Sequence, residues 1–117
     1  NPTTKKSFKT NVYKDFGLTP SDSYIKFINL KNRHINNQQI SQGDIFPPEV
    51  EWIDLSDNNI TNIDNAKFPE SVKTLILDAN YIKSLNNFKP PPNLKEISIK
   101  RNSLTEIPIF PGITINE

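Results

Sequence analysis

The run Val50-Glu-Trp-Ile53-Asp-Leu55-Ser-Asp-Asn58-Asn-Ile60 decides how the 117-residue chain is organised, because it returns twice at a fixed interval. Val72-Lys-Thr-Leu75-Ile-Leu77-Asp-Ala-Asn80-Tyr-Ile82 lies 22 residues further on, and Leu94-Lys-Glu-Ile97-Ser-Ile99-Lys-Arg-Asn102-Ser-Leu104 another 22 beyond that. A weaker copy at Ile25, Ile28, Leu30, Arg33 and Ile35 precedes the Val50 run by 25 residues and carries Arg33 where the others carry Asn. Self-similarity at such a period marks stacked units, none of which buries its apolar face alone.

Within each copy the apolar residues two apart (Ile53 and Leu55, Leu75 and Leu77, Ile97 and Ile99) have the period of a strand with one face buried. Short parallel strands stacked at this interval follow. After each strand the chain must turn, and asparagine both tolerates unusual backbone angles and hydrogen-bonds groups that the turn leaves unpaired. Asn58, Asn80 and Asn102 are therefore expected to form a buried structural ladder. Phe46, Phe68, Phe88 and Phe110, spaced by 22, 20 and 22 residues, predict a second stack on the return path. Prolines beside them remove backbone donors and disfavour helix, so that side is predicted to be irregular, extended or 3₁₀. The prolines at 90–92 also read as a ligand for an SH3-type module, although shaping the return segment already accounts for them.

Composition agrees with economical burial. Only 34% of residues are hydrophobic, yet 16 isoleucines are too many for a disordered chain. The absence of cysteine excludes disulfides, thiol nucleophiles and Cys-based zinc sites. Fourteen basic residues face 13 acidic ones; residues 1–49 carry a net +3 and residues 50–117 a net −2, without the basic excess of a nucleic-acid binder. No apolar run approaches the roughly 18 residues of a membrane span.

The spacing LxxLxLxxNxL, continued as Asn58-x-Ile60-x-x-Ile63, Asn80-x-Ile82-x-x-Leu85 and Asn102-x-Leu104-x-x-Ile107, resembles the leucine-rich repeat family in its short, 22-residue NxIxxI form. The resemblance covers about residues 24–115. It implies an α/β-type leucine-rich-repeat solenoid, right-handed, with about four rungs and a short curved parallel sheet on its concave face. Repeats then fall near residues 25–49, 50–71, 72–93 and 94–117. The run Asp54-Leu55-Ser56-Asp57-Asn58 is also similar to repeats in receptor-kinase ectodomains. Residues 1–23 look different: Lys5, Lys6, Lys9 and Lys14 stand beside Phe8, Val12, Tyr13 and Phe16. They read as an N-terminal cap whose strand at Phe8, Thr10 and Val12 covers the first repeat, or as a basic arm that touches a partner. The start at Asn1-Pro2 suggests a processed or excised chain. Ile113-x-Ile115 looks like the start of a further strand, after which the chain continues or packs on another molecule.

In such a family the variable strand positions and the following turn make one solvent-facing surface, the default binding site. Here Phe27, Trp52 and Ile76 form an apolar diagonal on it, with Tyr81 close by. Exposed aromatic groups are enriched at interface hot spots. The alternative is that the N-terminal cap covers Phe27 and Trp52. Asp54, Asp57 and Asp78 adjoin the diagonal as polar selectors for a basic partner, and Lys100 with Arg101 on the last repeat completes a charge gradient. Those three carboxylates are too few to complete a calcium site of six to eight oxygens. His34 is the only imidazole and has no second His or Cys beside it, and with Gly17, Gly43 and Gly112 alone there is no phosphate loop.

No metal and no cofactor is expected, and no catalytic constellation. Asn59-Ile60-Thr61 is an N-glycosylation sequon, meaningful if the chain is secreted. The sequence therefore points to a non-catalytic protein-protein recognition module whose partner is a protein or peptide rather than a nucleic acid or a membrane. Two rivals stand beside it: a ligand-recognition ectodomain excised from a larger receptor, including a receptor kinase, and a structural domain that self-associates through its C-terminal end. The residues fix no compartment; the receptor-like repeat and the sequon lean towards an extracellular one.

Overall fold

The computed structural model describes residues 24–43 and 45–117, so the expected cap or arm at residues 1–23 lies outside the described residues. Five three-residue strands make one sheet: β1 (Phe27–Asn29), β2 (Trp52–Asp54), β3 (Thr74–Ile76), β4 (Glu96–Ser98) and β5 (Thr114–Asn116). Their spatial order is their chain order and every pairing is parallel. The molecule is a parallel β-solenoid of about four turns with almost no helix.

Hydrophobic spacing sets the register. Ile28, Ile53, Leu75, Ile97 and Ile115 face one another across successive strands. A shift of one residue would turn every one of these side chains to the other face of the sheet. The intervals between them are 25, 22, 22 and 18 residues, so the outer turns depart from the repeat at opposite ends. The longer first turn holds a short α-helix, α1 (Asn37–Ile40), entered through a capping box in which Asn36 accepts from the Gln39 N–H and Gln39 from the Asn36 N–H. The last turn is shortened by a reversal at Phe110-Pro111-Gly112-Ile113, where Gly112 sits at φ 79° and the Ile113 N–H donates to the Phe110 carbonyl at 3.0 Å. Proline at the second position and a positive-φ glycine at the third are what a type II turn requires.

Beyond each strand the inter-turn hydrogen bonds continue (Leu55 N to Ile76 O, Leu77 N to Ser98 O, both 2.8 Å) as far as a residue in the left-handed region. Those residues are Asn32, Asp57, Ala79 and Arg101, at φ 56–57°. The expectation that the ladder asparagines would take the unusual angle is thus corrected: the residue before each ladder position takes it. This frees the next side chain to point inward.

Asn58 is buried and makes five bonds. Its Oδ1 accepts from the Arg33 and Ile35 N–H groups at 3.0 and 2.9 Å, and its Nδ2 reaches the carbonyls of Leu30, Leu55 and Ser56. His34, at φ 57°, lies between the two donors and turns them toward the same oxygen. Asn80 and Asn102 repeat the arrangement, accepting from Ile60 N and Ile82 N and donating to three carbonyls each. Every ladder asparagine therefore stitches its own turn to the preceding one. Asn102 is only half-buried, correcting the expectation of a wholly buried ladder, because the shortened last turn covers it less.

On the return side the phenylalanine stack is present, with ring centroids 5.5, 6.4 and 6.2 Å apart along Phe46, Phe68, Phe88 and Phe110. Pro47, Pro69 and Pro91 each accept from the N–H three residues on, at Val50, Val72 and Leu94, so the prolines close the turn that enters each strand. Apart from α1 this side is turn and extended chain, the irregular and extended alternatives of the prediction. The core is one continuous cluster from Ile28 to Ile99, with Leu104, Ile107, Phe110, Ile113 and Ile115 packed against its end and only partly covered.

Candidate binding face

The sheet face directed away from the core is built from the first and third residues of every strand. One row runs Phe27, Trp52, Thr74, Glu96 and Thr114; the other runs Asn29, Asp54, Ile76, Ser98 and Asn116. Because the centre of each strand is committed to the core, these residues are held by the backbone ladder outside the hydrophobic core.

Phe27 is 69% exposed and Tyr81 57%, while Trp52 and Ile76 are half-buried. The Phe27 and Trp52 rings lie 6.2 Å apart with their planes at 58°, forming an open corner. Ile76 stands diagonal to Trp52 and directly opposite Asp54. The row beside the aromatic pair is polar and oriented: Asn29 Oδ1 accepts from Lys31 N at 3.0 Å and Asp54 Oδ1 from Ser56 N at 2.9 Å. These turns fix the side chains two residues before the backbone bends.

Asp78 is placed differently. Its Oδ1 accepts from the Ser98 hydroxyl at 2.6 Å and from Lys100 N at 2.9 Å, so it ties the third turn to the fourth. That is scaffold work, and it separates Asp78 from the other two aspartates of the predicted acidic group. Asp57 is exposed, 3.8 Å from the Lys31 ammonium. Such a solvent-exposed pair contributes between zero and about 1 kcal/mol. Arg101 is exposed on the fourth turn, two turns beyond the strand that carries Trp52. Along the strand entrances Lys26 pairs with Glu49 at 3.2 Å and Glu51 at 4.0 Å, and Lys73 with Glu51 at 3.6 Å, a lattice of charges that neutralise one another.

Past the strand ends the turns of the first three rungs enclose an open hollow of about 840 Å³, lined among others by Lys31, His34, Asp57, Asn59 and Tyr81. The predicted residues thus divide into two groups: Phe27, Trp52, Asp54 and Ile76 on the sheet, Asp57 and Tyr81 in the hollow. Sequence reasoning placed Lys31, His34 and Asn59 on the solvent-facing surface but did not count them among its binding residues. His34 and Asn59 share the offset after the strand that marked Tyr81, whereas Lys31 lies three residues earlier in its turn. Asn59 is exposed, while the sequon's Thr61 hydroxyl accepts from Asn37 Nδ2 at 2.7 Å. Among the described residues no helix is long and apolar enough to cross a membrane.

No protein-family model, curated protein or solved structure matches this chain.

Proposed function

We propose that the chain is a recognition module of the leucine-rich-repeat type, non-catalytic, that binds a protein or peptide through its sheet face. One observation supports this most: Phe27 and Tyr81 stand exposed, and Trp52 and Ile76 half-exposed, outside the hydrophobic core that the strand centres build. Exposed aromatic groups of this kind act as hot spots when a partner desolvates them. The mechanism is presentation. The strands and asparagine ladder hold Phe27, Trp52, Ile76 and Tyr81 in place before the partner arrives, which lowers the ordering cost of association.

The test is capture from the source cell with the wild-type chain beside a Trp52→Ala, Ile76→Ser, Tyr81→Ala variant, both verified as folded by circular dichroism. A partner retained by the wild type and lost by the variant is the expected result. Equal recovery by both places recognition elsewhere, on residues 1–23 or the proline side. The receptor-ectodomain reading draws on the exposed Asn59 of the sequon. Its check is a glycosidase-sensitive mass increment on the native chain that Asn59→Gln abolishes.

A further inference from the structure

The corner formed by Phe27 and Trp52 has a carboxylate beside it with no cation among the described residues. Across the first four strands the outward-facing residues are Phe27, Asn29, Trp52, Asp54, Thr74, Ile76, Glu96 and Ser98, which include two acids and no base. Glu96 is engaged by the Asn116 amide at 2.7 Å. Asp54 accepts one backbone bond on Oδ1, and among the described residues neither an ion pair nor a bond to Oδ2 accompanies it. The nearby lysines are committed elsewhere: Lys26 and Lys73 to Glu49 and Glu51, Lys31 to Asp57. The Trp52 indole N–H also has no acceptor among the described residues.

From these observations, and resting on the sheet-face reading above, we propose that Phe27, Trp52 and Asp54 form a subsite for an arginine side chain of the partner, with Ile76 receiving an adjacent aliphatic group. The geometry suits a guanidinium. Neighbouring strands stand about 4.8 Å apart and residues two apart along a strand about 6.6 Å, so ring and carboxylate lie within the span of one long side chain. Ring faces attract cations through their quadrupole, and a planar guanidinium stacks on an indole while keeping its edge N–H groups for a carboxylate. A lysine ammonium meets the charge but not the stacking. An acidic partner meets neither. The carbonyl beside the arginine supplies the acceptor that the Trp52 N–H lacks.

Trp52 is the only tryptophan in the chain, so its fluorescence reports on this subsite alone. The probe is acetyl-Ala-Arg-Ala-Leu-amide, titrated into the full chain at low ionic strength beside the same peptide with uncharged citrulline in place of arginine. The arginine peptide is expected to produce a saturable change and to bind at least about five-fold more tightly than the citrulline peptide. Asp54→Asn is expected to erase that preference while leaving the melting temperature in place, and Phe27→Ala to weaken it. Equal binding of both peptides, or a preference that survives Asp54→Asn, overturns the subsite without touching the capture result for the sheet face. A Trp52 signal insensitive to both peptides and to aqueous acrylamide also overturns it, because the corner is then covered by the chain's own residues 1–23 or by a second copy. Retention of the partner by the triple variant, in contrast, overturns the recognition face itself.

Discussion

The third and fourth turns are written in the same motif and yet differ in burial. Ile82 and Leu85 in the third turn are 0% exposed, whereas Leu104 and Ile107 at the same positions of the fourth are half-buried. The ladder shows the cause. Asn80 and Asn102 make equivalent bonds one turn apart, accepting from Ile60 N and Ile82 N and reaching back to the carbonyls of Leu55 and Leu77. The partners of the ladder asparagines are therefore supplied by the preceding turn and burial by the following one. A turn late in the stack has its full set of ladder bonds but an incomplete cover, and its stability depends on the neighbour that comes next.

This asymmetry separates variants that sequence similarity alone would treat as equal. Leu75→Ala removes a fully buried side chain between two turns and is expected to cost about 4 kcal/mol, against about 1 to 2 kcal/mol for Ile115→Ala at the end of the sheet. Urea unfolding of the two variants measures the gap; equal losses would break the comparison. Asn80→Ala strands the buried Ile60 N–H, while the Leu55 and Leu77 carbonyls keep Asn58 and Asn102, for a loss of about 2 kcal/mol, and water reaches the less buried Ile82 N–H in Asn102→Ala and holds its loss near 1 kcal/mol. Hydrogen exchange at the Ile60 and Ile82 amides locates each effect. The smallest change is favourable. Ala79 sits at φ 57° without the side-chain bonding that eases aspartate or asparagine into that region, so Ala79→Gly is expected to raise stability by about 0.5 kcal/mol, the relief of strain partly offset by the freedom glycine gains in the unfolded chain.

The strands and their register were legible because two independent periods, the aliphatic pairs and the asparagine, fall on the same 22 residues. The position of the left-handed residue was not. Asp57, Ala79 and Arg101 share a backbone angle but no side-chain type, so no sequence pattern marks them. The shortened last turn had a local sign in Pro111-Gly112, which only becomes decisive once Ile115 is paired with Ile97. Asp78 looked like Asp54 and Asp57 in the sequence. Its commitment to Ser98 and Lys100 depends on a neighbour 20 residues away along the chain, which composition cannot reveal. The rows of the binding face, by contrast, followed directly once the strands were placed, since outward positions are fixed by the alternation of side chains.

Trp52→Ala shows whether the sheet face and the core are separable. With the captured partner in hand, titration calorimetry and a thermal melt are run on the same preparation. A loss of about 2 kcal/mol or more in binding with an almost unchanged melting temperature is the result expected of a hot spot that the scaffold does not need. A large drop in melting temperature with binding intact would contradict the account, because Trp52 would then belong to the core.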